Sequence, residues 1–221
     1  LHDAELLRAA EAGEPFGALR ASAAQLEACA ILAELTGGER RVWDALRELE
    51  RAHAHALTEE DAYRSGRRGA GELEDGEALA LARASEPSAR VAVVVLGALA
   101  HDERPVEPLL RSLDRYDEAR RLAGALRTWK DDLAARRPTL VLARLARAGG
   151  GDPRALAARL YAGGIALDVL ALAERACGDA QRALGAVAGV ELWTSTVRQL
   201  AQRIAAYRGA LAPAANAAVA T

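Results

Sequence analysis

Leu122-Ala-Gly-Ala-Leu-Arg-Thr-Trp-Lys-Asp-Asp-Leu-Ala-Ala-Arg-Arg-Pro-Thr-Leu140 reads as the second half of a long amphipathic helix that ends in two aspartates and two arginines. Its apolar residues continue a series that begins upstream: Leu109, Leu113, Tyr116, Ala119, Leu122, Leu126, Trp129 and Leu133. Steps of three and four residues place that series on one helix face, with Arg111, Asp114, Arg115, Glu118 and Arg121 outside it. Pro105 and Pro108 open the helix, and Pro138 starts the next one. A stripe this long is stable only when other helices cover it.

Working outward, breakers divide the chain into about eight helices. Gly13 to Pro15 separate a short opening helix from one over 16–35, and Gly37-Gly38 separate that from one over 39–63. Arg64 to Gly76, rich in glycine and arginine, reads as a flexible surface loop. A short helix over 77–84 follows, then an apolar one from Pro87 to about His101. Beyond the central helix, Gly149 to Gly151 stop the helix opened by Pro138. Asp152-Pro153 then supplies an N-cap and a first-turn proline for a helix reaching about Val187, with a bend at Gly163-Gly164. A last helix covers 191–211, and the Ala-rich tail, 213–221, is expected to fray. The reading is an all-α protein: one antiparallel helical bundle over 1–212.

Composition supports that class. Hydrophobic residues make up 51% of the 221 positions and aromatic residues only 4%, and Ala, Leu, Arg and Glu are all good helix formers. Val91 to Val95 is the longest β-branched run and is too isolated to build a sheet. The net charge of −2 provides no pull toward nucleic acid. No apolar run is long enough for a membrane span, and no signal peptide is read at the start. The expected setting is cytoplasmic, and a homodimer is compatible with it. A chain that starts at Leu1 and holds no Met reads as a segment of a longer protein.

The motif at the end of the central helix resembles the second metal-binding helix of class I isoprenoid synthases, the superfamily of trans-prenyl diphosphate synthases and terpene cyclases. Asp132-Leu-x-x-Arg-Arg-Pro-Thr-Leu140 is similar to that family's Asp-Leu-x-x-Gly-Lys-x-Thr-Leu continuation. Leu1-His2-Asp3-Ala4-Glu5-Leu6-Leu7 resembles a first Asp-rich motif in which Asp3 keeps one carboxylate and Ala4 and Leu7 replace the others. In the second motif Gly124, Ala125 and Thr128 stand where three aspartates would be. Arg83-Ala-Ser85 occupies the place of a Lys-Thr pair. The resemblance implies an isoprenoid-synthase-like bundle that binds or transfers a prenyl diphosphate with Mg²⁺, weakened in catalysis. Asp3, Asp131 and Asp132 are the metal ligands it implies, and Arg83, Arg136 and Arg137 the diphosphate ligands. Mg²⁺ takes hard oxygen donors and keeps several waters, so few carboxylates per helix are needed. The alternative is a non-enzymatic helical interaction or assembly module. A deep cavity with carboxylates at its mouth would favour the first, a filled core the second.

Other residues read as structural. His53 and His55 are two apart and point to different helix sides, so they do not chelate as an i,i+4 pair would. Glu59, Glu60 and Asp61 read as a solvated charge run. Trp43, Trp129 and Trp193 read as core or interface anchors. Cys29 and Cys177 read as buried free thiols.

Overall fold

The computed structural model describes residues 17–84, 86–185 and 187–219, with side-chain surroundings given from 26 to 212 within those limits. Nine α-helices are present among the described residues: α1 Gly17–Leu35, α2 Arg40–Arg64, α3 Asp75–Ala84, α4 Ser88–Leu99, α5 Val106–Ala134, α6 Leu140–Arg147, α7 Pro153–Tyr161, α8 Ile165–Leu184 and α9 Glu191–Val219. A 3₁₀ turn, Ala70–Glu72, joins α2 to α3. No strand occurs among these residues. The all-α helical bundle is thus the fold.

The central helix α5 lies along α8, and α9 packs on α8 while its Trp193 donates to Ser112 of α5. Helices α3, α4 and α6 pack around α5. Leu122, Leu126 and Trp129 of α5 and Val169, Leu170, Ala173 and Cys177 of α8 belong to one buried cluster. Fully buried alanines at 119 and 173 let neighbouring helices approach closely. Burial pushes the Cys177 thiol up to about 11. Cys29 is also free, but half-buried rather than buried.

Several sequence expectations change where tertiary contacts override periodicity. Leu133 is 41% exposed, whereas Asp132 is buried, because the chain turns after α5 and the start of α6 comes back on the Asp132 side. Ser112, Asp117 and Glu118 are also buried. A helix enclosed on several sides buries polar positions that a one-face pattern leaves in water. The expected bend at Gly163-Gly164 is a break: α7 and α8 meet at 53°. Gly164 adopts φ +82, and a Cβ on Gly163 would lie 2.4 Å from the Arg159 carbonyl oxygen. The last helix continues past Pro213 to Val219, where a run rich in Ala, the best helix former, outweighs the proline.

The Arg64–Gly76 stretch is tied down. Arg68 bridges Glu59 and Glu77, Arg67 pairs with Asp61, and Arg64 pairs with Glu60. The acidic run is therefore the loop's set of anchors. Leu73 in the loop is fully buried, and its carbonyl accepts from Arg147. Asp75 at the start of α3 receives both Arg144 and Arg147. His53 is half-buried with Nδ1 3.1 Å from the Ala84 carbonyl, joining α2 to the end of α3. Among the described residues, no single helix is long and apolar enough to cross a membrane.

Candidate binding pocket

The sequence leaves room beside α5 because small residues interrupt its bulky series. Gly124 and Ala125 lie on the helix side facing α2 and α3, where Ala56, Ala78 and Ala82 are equally small. A Cβ on Gly124 would meet nothing within 4 Å. The result is a cavity of about 410 Å³ between α2, α3, α5 and the 137–140 turn. That is within the range of small-molecule sites, roughly 300–1,000 Å³. Leu57, Leu81, Leu122 and Leu140 give it an apolar floor.

Its polar lining is dominated by guanidinium. Arg120, Arg121, Arg127 and Arg137 line it, against Glu60, Glu86 and Asp132. Glu60 is drawn toward Arg64 at 2.6 Å. Arg120 Nη2 donates to Glu86 at 2.6 Å, and Arg121 Nη2 donates to the other Glu86 oxygen at 3.4 Å. The Arg121 Nε is enclosed and has no hydrogen-bond partner among the described residues. Burial holds the Arg121 guanidinium below its ordinary pKa, partly offset by the Glu86 charge. Arg127 enters no hydrogen bond or ion pair among the described residues and is exposed at the rim. Behind the pocket, buried Arg90 holds Asp114 at 2.7 Å and Asp117 at 3.0 Å. Burial pushes the Asp117 carboxyl up, with the charges of Arg90 and Arg120 opposing it.

The end of α5 shapes the pocket mouth. The Arg136 N–H donates to the Leu133 carbonyl and the Arg137 N–H to the Asp132 carbonyl, the pattern of a Schellman C-cap. Arg136 takes φ +50, a left-handed position that favours glycine. It stands at the Gly of the Asp-Leu-x-x-Gly-Lys pattern that the sequence resembles. Thr139 then caps α6 by accepting from the Leu142 N–H at 3.2 Å. Asp132 accepts from the Thr128 hydroxyl at 2.7 Å and lies 3.6 Å from Arg137.

Of the residues singled out from sequence, Asp132 and Arg137 line the pocket. Asp131, one residue round the helix, is exposed and is not part of the lining. Arg83 turns to buried Glu118 at 3.4 Å, outside the pocket. Arg136 lies over Gly66, with Nη1 3.0 Å from where a Cβ there would sit. Asp3 and Ser85 lie outside the described residues. Gly124, Ala125 and Thr128, the positions aligned with three aspartates, do line the pocket, but without a carboxylate. Among the described residues no group of three or more His, Cys, Asp or Glu side chains is arranged to hold a metal. Among the described residues, therefore, the donor set does not fit a Mg²⁺ cluster: the lining carboxylates are each spoken for by an arginine. Sequence reasoning missed Arg120, Arg121, Arg127 and Glu86. Arg120 stands seven residues before Arg127 on α5, about two turns away, a spacing that a helical-wheel search for cations would have found.

No protein-family profile matches this chain, and no curated protein or solved structure matches it significantly.

Proposed function

We propose that the pocket binds an amphiphilic phosphate ester, an isoprenoid diphosphate above all, through arginines rather than through Mg²⁺. One observation carries this reading. The positions where the isoprenoid-synthase resemblance expects metal-binding aspartates line the cavity as Gly124, Ala125 and Thr128, while four arginines surround them. Guanidinium groups recognise phosphate by paired, charge-assisted hydrogen bonds and need no bridging metal. The alanine- and leucine-lined floor suits a short hydrocarbon chain, with the anionic end at Arg120, Arg121 and Arg137.

Binding, without ionisation of the allylic diphosphate, is the activity that this donor set supports. The arginines orient and neutralise the diphosphate, and the apolar floor excludes water from the chain. Arg137, tied to Asp132 at the C-cap of α5, sets the depth at which the anion stops.

Calorimetric titration with farnesyl diphosphate, in EDTA and then in Mg²⁺, tests the reading. Binding of similar strength in both, weakened in Arg137→Gln, is expected. Binding that requires Mg²⁺ and disappears in Asp131→Ala/Asp132→Ala would restore the metal mechanism. No binding in either condition would favour the second reading, a helical interaction module. That reading draws on exposed Leu26, Ile31 and Leu35 of α1 and Leu96 of α4.

A further inference from the structure

Glu86 sits in the short connector between α3 and α4, and its side chain is 54% exposed. Its carboxylate nevertheless takes Arg120 through one oxygen and Arg121 through the other. A half-exposed carboxylate gains little from each surface pair, so the position it occupies is more informative than its contribution to stability. It lies in the pocket lining against two of the four arginines there.

The main chain of Glu86 is held independently of that carboxylate. Its carbonyl accepts from Arg90 Nη1 at 2.6 Å, and Arg90 is buried and fixed in turn by Asp114 and Asp117. Pro87 follows directly and restricts the backbone further. The side chain can therefore turn to solvent while the connector stays in place. Each guanidinium offers five N–H donors. Glu86 takes one from each arginine, and the Nε of Arg121 is left without a partner among the described residues. A diphosphate carries more charge and more acceptor oxygens than one carboxylate, and it can take Nη donors that Glu86 leaves unused.

From this geometry we propose that Glu86 is an internal counter-ion. Its carboxylate occupies the anion subsite formed by Arg120 and Arg121, and a multiply charged phosphate group displaces it on binding. This rests on the pocket being a phosphate site, and it adds a selectivity device to that site. A singly charged carboxylate ligand gains nothing by replacing Glu86, whereas a diphosphate does. Occupancy by Glu86 also keeps the two guanidinium groups from repelling each other in the empty pocket.

The test is calorimetric titration of wild type and Glu86→Gln with inorganic pyrophosphate, geranyl diphosphate and geraniol, with circular dichroism melts confirming that both proteins are folded. Glu86→Gln is expected to bind pyrophosphate and geranyl diphosphate about tenfold more tightly, the scale of one displaced ion pair together with one like charge removed. Geraniol, which carries no charge, is expected to bind both proteins equally. Glu86→Asp keeps the charge but withdraws it by one methylene, and its affinity should fall between the two. Wild-type binding that is unchanged or weaker in Glu86→Gln overturns the counter-ion proposal and leaves the phosphate pocket standing. A geraniol affinity that rises as much as the diphosphate affinity also overturns it, since Glu86 would then only narrow the cavity. No pyrophosphate or geranyl diphosphate binding by any of the three proteins overturns both the pocket reading and this proposal.

Discussion

Replacing Arg121 by Met separates the cost of the pocket from its use. The Arg121 side chain is 39% exposed, yet its Nε is enclosed without a hydrogen-bond partner among the described residues. An orphaned buried donor costs about 1–3 kcal/mol. Against this stands the 3.4 Å contact with half-exposed Glu86, and an exposed pair of that kind contributes roughly 0–1 kcal/mol. Met has nearly the same stem length and is apolar, so it retains the packing of the arginine methylenes. The balance is a gain of about 1 kcal/mol, which in a chain of this size raises Tm by about 2–4 °C. Ligand affinity should move the other way. Loss of a charge-assisted hydrogen bond worth about 1.5–3 kcal/mol weakens diphosphate binding roughly 10- to 100-fold. Thermal melts followed at 222 nm and titration with geranyl diphosphate read the two effects separately. A variant that melts lower than wild type and binds equally well would show Arg121 to be a structural strut, and the reasoning from its unpartnered Nε would be wrong.

Three other outcomes follow from particular residues. Arg136→Gly relieves a left-handed residue at the C-cap of α5 and should stabilise the protein by about 1 kcal/mol; a destabilised variant in urea titration would mean that the Arg136 side chain matters more than its backbone. Burial alone would raise the Asp75 carboxyl, but hydrogen bonds from Arg144 and Arg147, with their charges, hold it below its ordinary value. A carboxyl depressed in the folded state adds stability above its unfolded pKa, about 4, and loses it as pH falls through the lower folded value. Asp75→Asn should therefore be less stable than wild type at pH 7, with the gap closing below about pH 4; an equal gap at pH 3 in urea titrations would refute the assignment. Installing aspartates at Gly124, Ala125 and Thr128, of which Gly124 has open space beyond its Cα, should make pyrophosphate binding tighten at least about tenfold with Mg²⁺; binding indifferent to Mg²⁺ would place the resemblance to the Asp-rich helix in the wrong register.

Much of this fold is legible in the sequence because helix boundaries are written in local chemistry. Asp152 caps α7 by accepting from the Arg154 and Ala155 N–H groups, as the Asp-Pro pair predicts. Gly149 to Gly151, all with positive φ, end α6 where expected. Leu113, Ala119, Leu122, Leu126 and Trp129 of the long series are buried as its spacing requires, and Tyr116 is half-buried. What local pattern does not convey is enclosure. Glu118 reads as a surface charge by periodicity, and Asp132 lies off the apolar series, yet both are buried because α5 is surrounded. The Arg64–Gly76 loop reads as free because its anchors, Glu59, Glu77 and Arg147, are separate in sequence or lie in other helices.

The site was less legible for a related reason. The sequence points to Asp131 and Asp132 together, but adjacent helix residues diverge by about 100°, and only Asp132 reaches the cavity. The arginines opposite Glu86 belong to a connector contact across more than thirty positions. No spacing rule links residues so far apart. Gly124, Ala125 and Thr128, the positions the resemblance singles out, line the cavity without a carboxylate, and Arg120, Arg121 and Arg127 of the same helix supply the charge beside them.

A crystal structure of the chain grown with geranyl diphosphate in EDTA tests the central claim most directly. The diphosphate is expected against Arg120, Arg121 and Arg137, the prenyl chain over Leu81 and Leu122, and the Glu86 carboxylate turned away. Density for the diphosphate elsewhere, or a pocket still closed by Glu86 at saturating ligand, would contradict the account.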